Sequence, residues 1–206
     1  AKLTKHVTIR INNENGKKYT QVVIEENKYY QCEDISATIK DTNRTVLLEL
    51  DEDEIIESSF TPGYTLHSDA NRLYFELNQN TYPYIFEYFY TIEYSTLYFW
   101  PDWYPQQNIP VLKSTYNLIL EEDIKFNTHQ RNIDIEPEKR NVDGNTSYFW
   151  RLDSIAKRKD EPLQAPEDVW PMKLMFVPEE FKFDNYEGSF KSWEEIGKWF
   201  NKLTEE

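Results

Sequence analysis

The sequence predicts an all-β protein, a two-sheet antiparallel β-sandwich that ends in one α-helix. Two segments carry the β prediction. From Tyr84 to Tyr94 the even positions are Tyr84, Phe86, Tyr88, Tyr90, Ile92 and Tyr94, with Glu87 and Glu93 on the odd face. From Leu112 to Leu120, Leu112, Ser114, Tyr116, Leu118 and Leu120 alternate with Lys113 and Asn117. A period of two is the signature of a strand with one buried face. The period changes to helical only once, at the end. Trp193, Ile196, Trp199, Phe200 and Leu203 follow helical spacing behind a Ser192–Glu195 capping box.

The remaining elements follow in chain order. Val7, Ile9 and Ile11 alternate with polar residues, Asn12 to Gly16 turns, and Tyr19 to Glu25 returns, which predicts a hairpin. Further strands are expected at Tyr29–Glu33, Ser36–Lys40, Thr45–Leu50 and Arg72–Leu77. The run Asp51-Glu52-Asp53-Glu54 lacks the glycine and ligand spacing of a calcium loop and reads as a solvated face. A turn over Asn78–Pro83 precedes the aromatic strand. After the proline-rich corner and the Leu112–Leu120 strand, Lys125–His129 and Thr146–Leu152 bracket a polar connector. That connector carries Asp143-Gly144, a tight-turn signal. Three prolines hold Glu161–Pro171 extended, and Met172–Val177 reads as the last long strand. One domain is expected over residues 1–190, with the helix at 191–206.

Composition narrows the partners. With 37 acids against 23 bases the net charge is −14, a sign that repels phosphate backbones and anionic lipid. Nucleic acid is therefore not an expected partner, and no run reaches a membrane-spanning length. The one basic cluster, Lys157-Arg158-Lys159, is followed at once by Asp160 and Glu161. Cys32 is the single cysteine, so neither an internal disulfide nor a cysteine-based metal site is available. The chain begins at Ala1-Lys2, without Met or a signal peptide, which fits a processed polypeptide.

The inventory for catalysis is thin. Glu33 and Asp34 beside Cys32 suppress its thiolate, so the cysteine reads as inert. His6, His67 and His129 stand singly, without metal-ligand spacing. His67-Ser68-Asp69 are adjacent, and adjacent residues do not stack into a relay. No P-loop or dinucleotide fingerprint occurs, and nothing singles out a carboxylate pair for glycoside hydrolysis. The expectation is a chain with no catalytic residue, cofactor or metal. The remaining candidate is the corner Tyr98 to Pro105 with Gln106. Trp100, Asp102, Trp103, Tyr104 and Gln106 would suit sugar stacking or a peptide, against the alternative of a packed loop.

Four segments then form a pattern in order: YPYIFEYFYTIEY, FWPDWYPQQNIPVLKSTYNLIL, TSYFWRLDSIA and SWEEIGKWFNKL. In these the chain resembles the DUF3857 domain, which stands before a transglutaminase-like domain in exported proteins of Bacteroidetes-type bacteria. Residues 72 to 203 carry the resemblance, and residues 1 to 27 add little. It implies a β-sandwich module of unassigned role, periplasmic or at the cell surface, whose Cys-His-Asp partner domain would follow Glu206. No catalytic residue is carried over. Trp193, Ile196, Trp199, Phe200 and Leu203 would then contact that domain. The functions expected are an accessory module that positions or recruits substrate, or a carbohydrate-binding module using Trp100 to Tyr104. Asp153-Ser154-Ile155 also fits the short O-glycosylation acceptor of such exported proteins.

Overall fold

Fourteen strands, two 3-10 segments and one α-helix are formed by the residues that the computed structural model describes, namely 1–60, 69–121, 123–158 and 171–204. The strands form five antiparallel sheets, and the all-β class with a C-terminal helix holds. The chain divides into two compact units, Ala1–Ser95 and Thr96–Glu206. The division falls inside the span 1–190 that the sequence reading assigns to one domain.

The first unit contains β1 (Lys2–Ile11), β2 (Gln21–Glu26), β3 (Tyr30–Lys40), β4 (Val46–Glu49), β5 (Ile56–Ser59), β6 (Asn71–Glu76) and β7 (Tyr84–Tyr94). One sheet has the order β1-β7-β3-β4 and the other β2-β6-β5. The aromatic strand β7 is central, and its Tyr84, Phe86, Tyr90 and Ile92 are buried. They share a core with Ile11 and Ile39 of the same sheet and with Val22, Ile24 and Phe75 of the other. The alternation in the sequence was a core face.

The expected hairpin does not form. β1 pairs with β7 over its whole length, and β2 pairs with β6. Between them the Asn13 side chain accepts a hydrogen bond from the Asn15 N–H and starts a 3-10 segment, Glu14–Thr20. Seven residues of 3-10 helix carry the chain from one sheet to the other, where a tight turn would have returned it to its neighbour. The two strands expected on either side of Asp34 are one strand. Asp34 adopts φ 51°, and the register with β7 shifts between Glu33 and Ser36, so a bulge joins the two halves. The acidic run forms a short 3-10 segment, Glu52–Glu54, in which Asp51 N–H donates to Glu54 Oε2 at 3.0 Å.

Lys5 lies on the inner face of β1, opposite Tyr90, with its ammonium 5.6 Å from that ring's centre. The side chain remains exposed overall, but desolvation of its ammonium beside that ring holds its pKa below the usual lysine value. An inward-pointing charge on an outermost strand discourages pairing with another chain.

The second unit contains β8 (Val111–Leu120), β9 (Phe126–Arg131), β10 (Glu138–Val142), β11 (Asn145–Ile155), β12 (Lys173–Pro178), β13 (Glu180–Phe183), β14 (Tyr186–Ser189) and α1 (Trp193–Thr204). The orders are β10-β11-β8, β12-β9 and β13-β14. Asp143 and Gly144, at φ 52° and 84°, make the two-residue turn that joins β10 to β11. Strand β10 occupies the expected polar connector. All five of its residues are exposed, so it carried no alternation to read. Trp103, Trp150, Leu174 and Phe176 form the core of this unit.

Helix α1 packs on the β13–β14 hairpin, which follows the strand expected to be the last long one. A Cβ at Gly188 would stand 2.4 Å from Phe181 Cζ and 2.9 Å from Trp199 Cδ1, so the glycine is what lets the helix approach. Half of the expected capping box is present. Ser192 Oγ accepts from the Glu195 N–H at 3.2 Å, while the Glu195 carboxylate accepts from Ser189 Oγ. His67, Ser68 and most of the expected extended stretch (161–170) lie outside the described residues.

Candidate functional site

The aromatic corner is pinned by its own backbone. Trp103 N–H donates to Leu174 O at 2.9 Å, and Leu174 N–H returns the bond to Trp103 O at 3.0 Å, so one residue pairs with β12. The Trp103 side chain is 7% exposed, and its indole N–H donates to Ser114 Oγ of β8 at 3.0 Å. Trp103 is therefore core, and a stacking platform loses it. The packed-loop alternative describes this residue.

Of the other predicted residues of the corner, Asp102 and Tyr104 meet at Lys173, while Gln106 and Trp100 have other partners. Tyr104 is 44% exposed, with the Lys173 ammonium 5.2 Å from its ring centre. Asp102 pairs with Lys173 at 2.6 Å. Burial works against the Lys173 charge, but Asp102 and Tyr104 outweigh it and hold its pKa above the usual lysine value. Gln106 Nε2 is spent on the Ala156 carbonyl at 3.1 Å. Trp100 stacks on Phe126 with ring centres 5.8 Å apart, and its buried indole N–H has no partner among the described residues.

The helix residues also separate. Trp199 is buried, with Phe181 and Tyr98 ring centres 5.1 and 5.7 Å away. Ile196 and Leu203 are partly covered, whereas Trp193 is 88% exposed and Phe200 54%. Of the five helix residues expected to contact a following domain, one is buried and two are exposed. The helix's central residue is satisfied within the second unit, and its flank remains open.

One concavity joins the two predicted sets. A groove of about 490 Å³ is lined by Trp100 from the corner, Trp193 and Ile196 from α1, and Tyr98, Phe176 and Pro178 between them. Its described lining carries no carboxylate, amine or imidazole, so it suits apolar or aromatic side chains. Sequence spacing pointed to Trp100 and Trp193 separately. Their meeting, with Phe176 and Pro178 supplied by β12, depends on pairings that local pattern does not encode.

A second cavity, of about 190 Å³, lies in the first unit and does contain titratable groups. There Glu87 accepts from Lys40 and lies 2.6 Å from His6 Nε2. The Lys40 hydrogen bond, with His6 adding, holds the Glu87 carboxyl below the usual range. Cys32 is elsewhere in the same unit. Burial first, then Glu26, Asp34 and Glu33, push its thiol up to about 11, so little thiolate exists at neutral pH. Glu26 adds to the two carboxylates that the sequence places beside it, and it also accepts from the Cys32 N–H at 3.1 Å. Among the described residues no group of three or more His, Cys, Asp or Glu side chains is arranged to hold a metal ion. No described helix is long and apolar enough to cross a membrane.

Residues 1–159 match the family described as a domain of unknown function with solved structure, DUF3857. The match takes in residues 1 to 27, which added little to the resemblance read from the motifs, and it ends before α1. No curated protein matches the sequence. Among solved structures, the fold is similar to a crystal structure described as a "putative protease" from Parabacteroides distasonis, with a TM-score of 0.71 and 13% identity. The similarity covers 85% of this chain and 36% of the other, so the chain spans about a third of that protein.

Proposed function

The chain belongs to the DUF3857 family, and on that premise we propose that it is a non-catalytic accessory module of a longer, exported protein. In this reading it positions or recruits substrate for a transglutaminase-like domain in cis. The observation that carries the proposal is Trp193, 88% exposed on the rim of an apolar groove whose floor is already built. Phe200, two turns on from Trp193 and 54% exposed, extends it to an apolar patch, and such a patch beside a groove marks an interaction surface. The fold likeness to part of a longer protein supports the accessory role. The Cys32 thiol is held protonated, and the Glu87 carboxylate is taken up by Lys40 and His6. Ser154 is exposed, which leaves the acceptor hydroxyl expected of an exported protein in an exposed residue.

The test compares the full-length natural protein with this chain alone. Hydrogen exchange over residues 193–204 should slow in the longer protein, and acrylamide should quench Trp193 less. Unchanged exchange and quenching would remove the groove as the contact surface. A full-length polypeptide without a Cys-His-Asp domain would remove the transglutaminase-like partner.

A further inference from the structure

We infer that the free edge of β4 is a strand-addition site for an extended segment of another protein, one that alternates apolar residues with lysine or arginine. The inference is independent of the groove in the second unit. β4 is the outermost strand of its sheet, and no described strand pairs with its other side. Its register partner for Leu48 is Ile39, which is completely buried, so Leu48 points to the core face. Leu48 is nevertheless 44% exposed, and Val46 and Leu47 beside it are exposed to a similar degree. A core-facing leucine left half open is what a missing neighbouring strand produces.

The backbone is set for such a neighbour. Leu50 N–H donates to Ala37 O at 2.9 Å, so strand alternation turns the N–H and C=O of Glu49 to the open side. The register with β3 shifts between Ile39 and Lys40, which confines the regular edge to the Leu48 end. That end runs directly into acids. Glu49, Asp51, Glu52, Asp53, Glu54 and Glu57 lie within nine residues, and Arg44 is the only base between residues 41 and 60. An incoming strand would cover Leu48 with an apolar residue and meet the acids with basic ones. Main-chain bonds supply affinity in this mode, and alternate side chains supply choice of partner. A second copy of this chain is disfavoured because it would bring another net −14 to an acidic edge.

The test uses the 206-residue chain and a capped nonapeptide of alternating valine and lysine, read by backbone amide hydrogen exchange. Saturating peptide should slow exchange at Leu47 and Glu49 at least tenfold, and the affinity should fall as salt is added. A valine–glutamate peptide should give no protection. Leu48→Lys should weaken binding at least tenfold with an unchanged circular dichroism spectrum. If that variant does not fold, the double variant Glu49→Lys, Asp53→Lys serves the same purpose. Absence of protection at β4, or equal binding by the valine–glutamate peptide or by the variants, overturns the proposal. Protection of β4 without peptide, together with a dimer mass, would assign the edge to a second copy and overturn it equally.

Discussion

Glu87 shows how a residue that suggests chemistry can be serving stability instead. Its carboxylate joins Lys40 of β3 to His6 of β1 across the middle strand of the sheet. Because its folded-state pKa is depressed, its contribution is complete above the ordinary carboxylate range and is lost as pH falls through the folded value. Urea denaturation at pH 7 and again between pH 3 and 4 should show wild type losing more stability on acidification than Glu87→Gln. Trp103 and Tyr104 make the same point about the aromatic corner. Adjacent in sequence and alike in composition, they differ in burial, and only the fold reveals which is which. Trp103→Ala should cost about 3–5 kcal/mol in urea melts as a core truncation. Tyr104→Ala, at a half-exposed position, should cost less than about 1 kcal/mol.

At the level of elements, the long alternating strands were readable from the chain. β7 has the bounds that its period announced, β8 starts one residue earlier than expected, and β11 runs one residue earlier and three later. Pairing partners were not readable, because β1 meets β7 some eighty residues away and no local signal names a distant neighbour. Short exposed strands such as β5 and β10 escaped because alternation appears only where one face is buried. Helix α1 was legible from its cap and spacing, but the surface beneath it was not. Its docking depends on Gly188, which invites a direct test. Gly188→Ala should push Phe181 and Trp199 apart at a cost of about 1–3 kcal/mol. The near-ultraviolet circular dichroism of the aromatic cluster should weaken, while the far-ultraviolet β signal persists. Retention of both signals and of full stability would show that the hairpin and helix yield without loss.

For the whole molecule, tyrosine and tryptophan take a share of the core, with Tyr84, Tyr90, Trp103, Trp150 and Trp199 among its buried side chains. That choice has an alkaline cost. Burial raises the phenol of Tyr94 to about 12 and raises those of Tyr88 and Tyr90 as well. In the unfolded chain these phenols ionise near 10, so stability should decline as pH rises from about 10 toward the folded values. Absorbance at 295 nm should show these tyrosines ionising together with loss of structure, and Tyr94→Phe should shift that transition upward. The family match runs across both units, so the signature of the family is not confined to either. The six tryptophans have a consequence of another kind. Trp103, Trp150 and Trp199 are sealed, while Trp193 stands almost fully in water. Among the described tryptophans Trp193 is the exposed one, so the protein carries an intrinsic optical reporter, a red-emitting fluorophore at the mouth of the groove. Its colour should move to the blue when anything settles there, so occupancy can be followed without attaching a label.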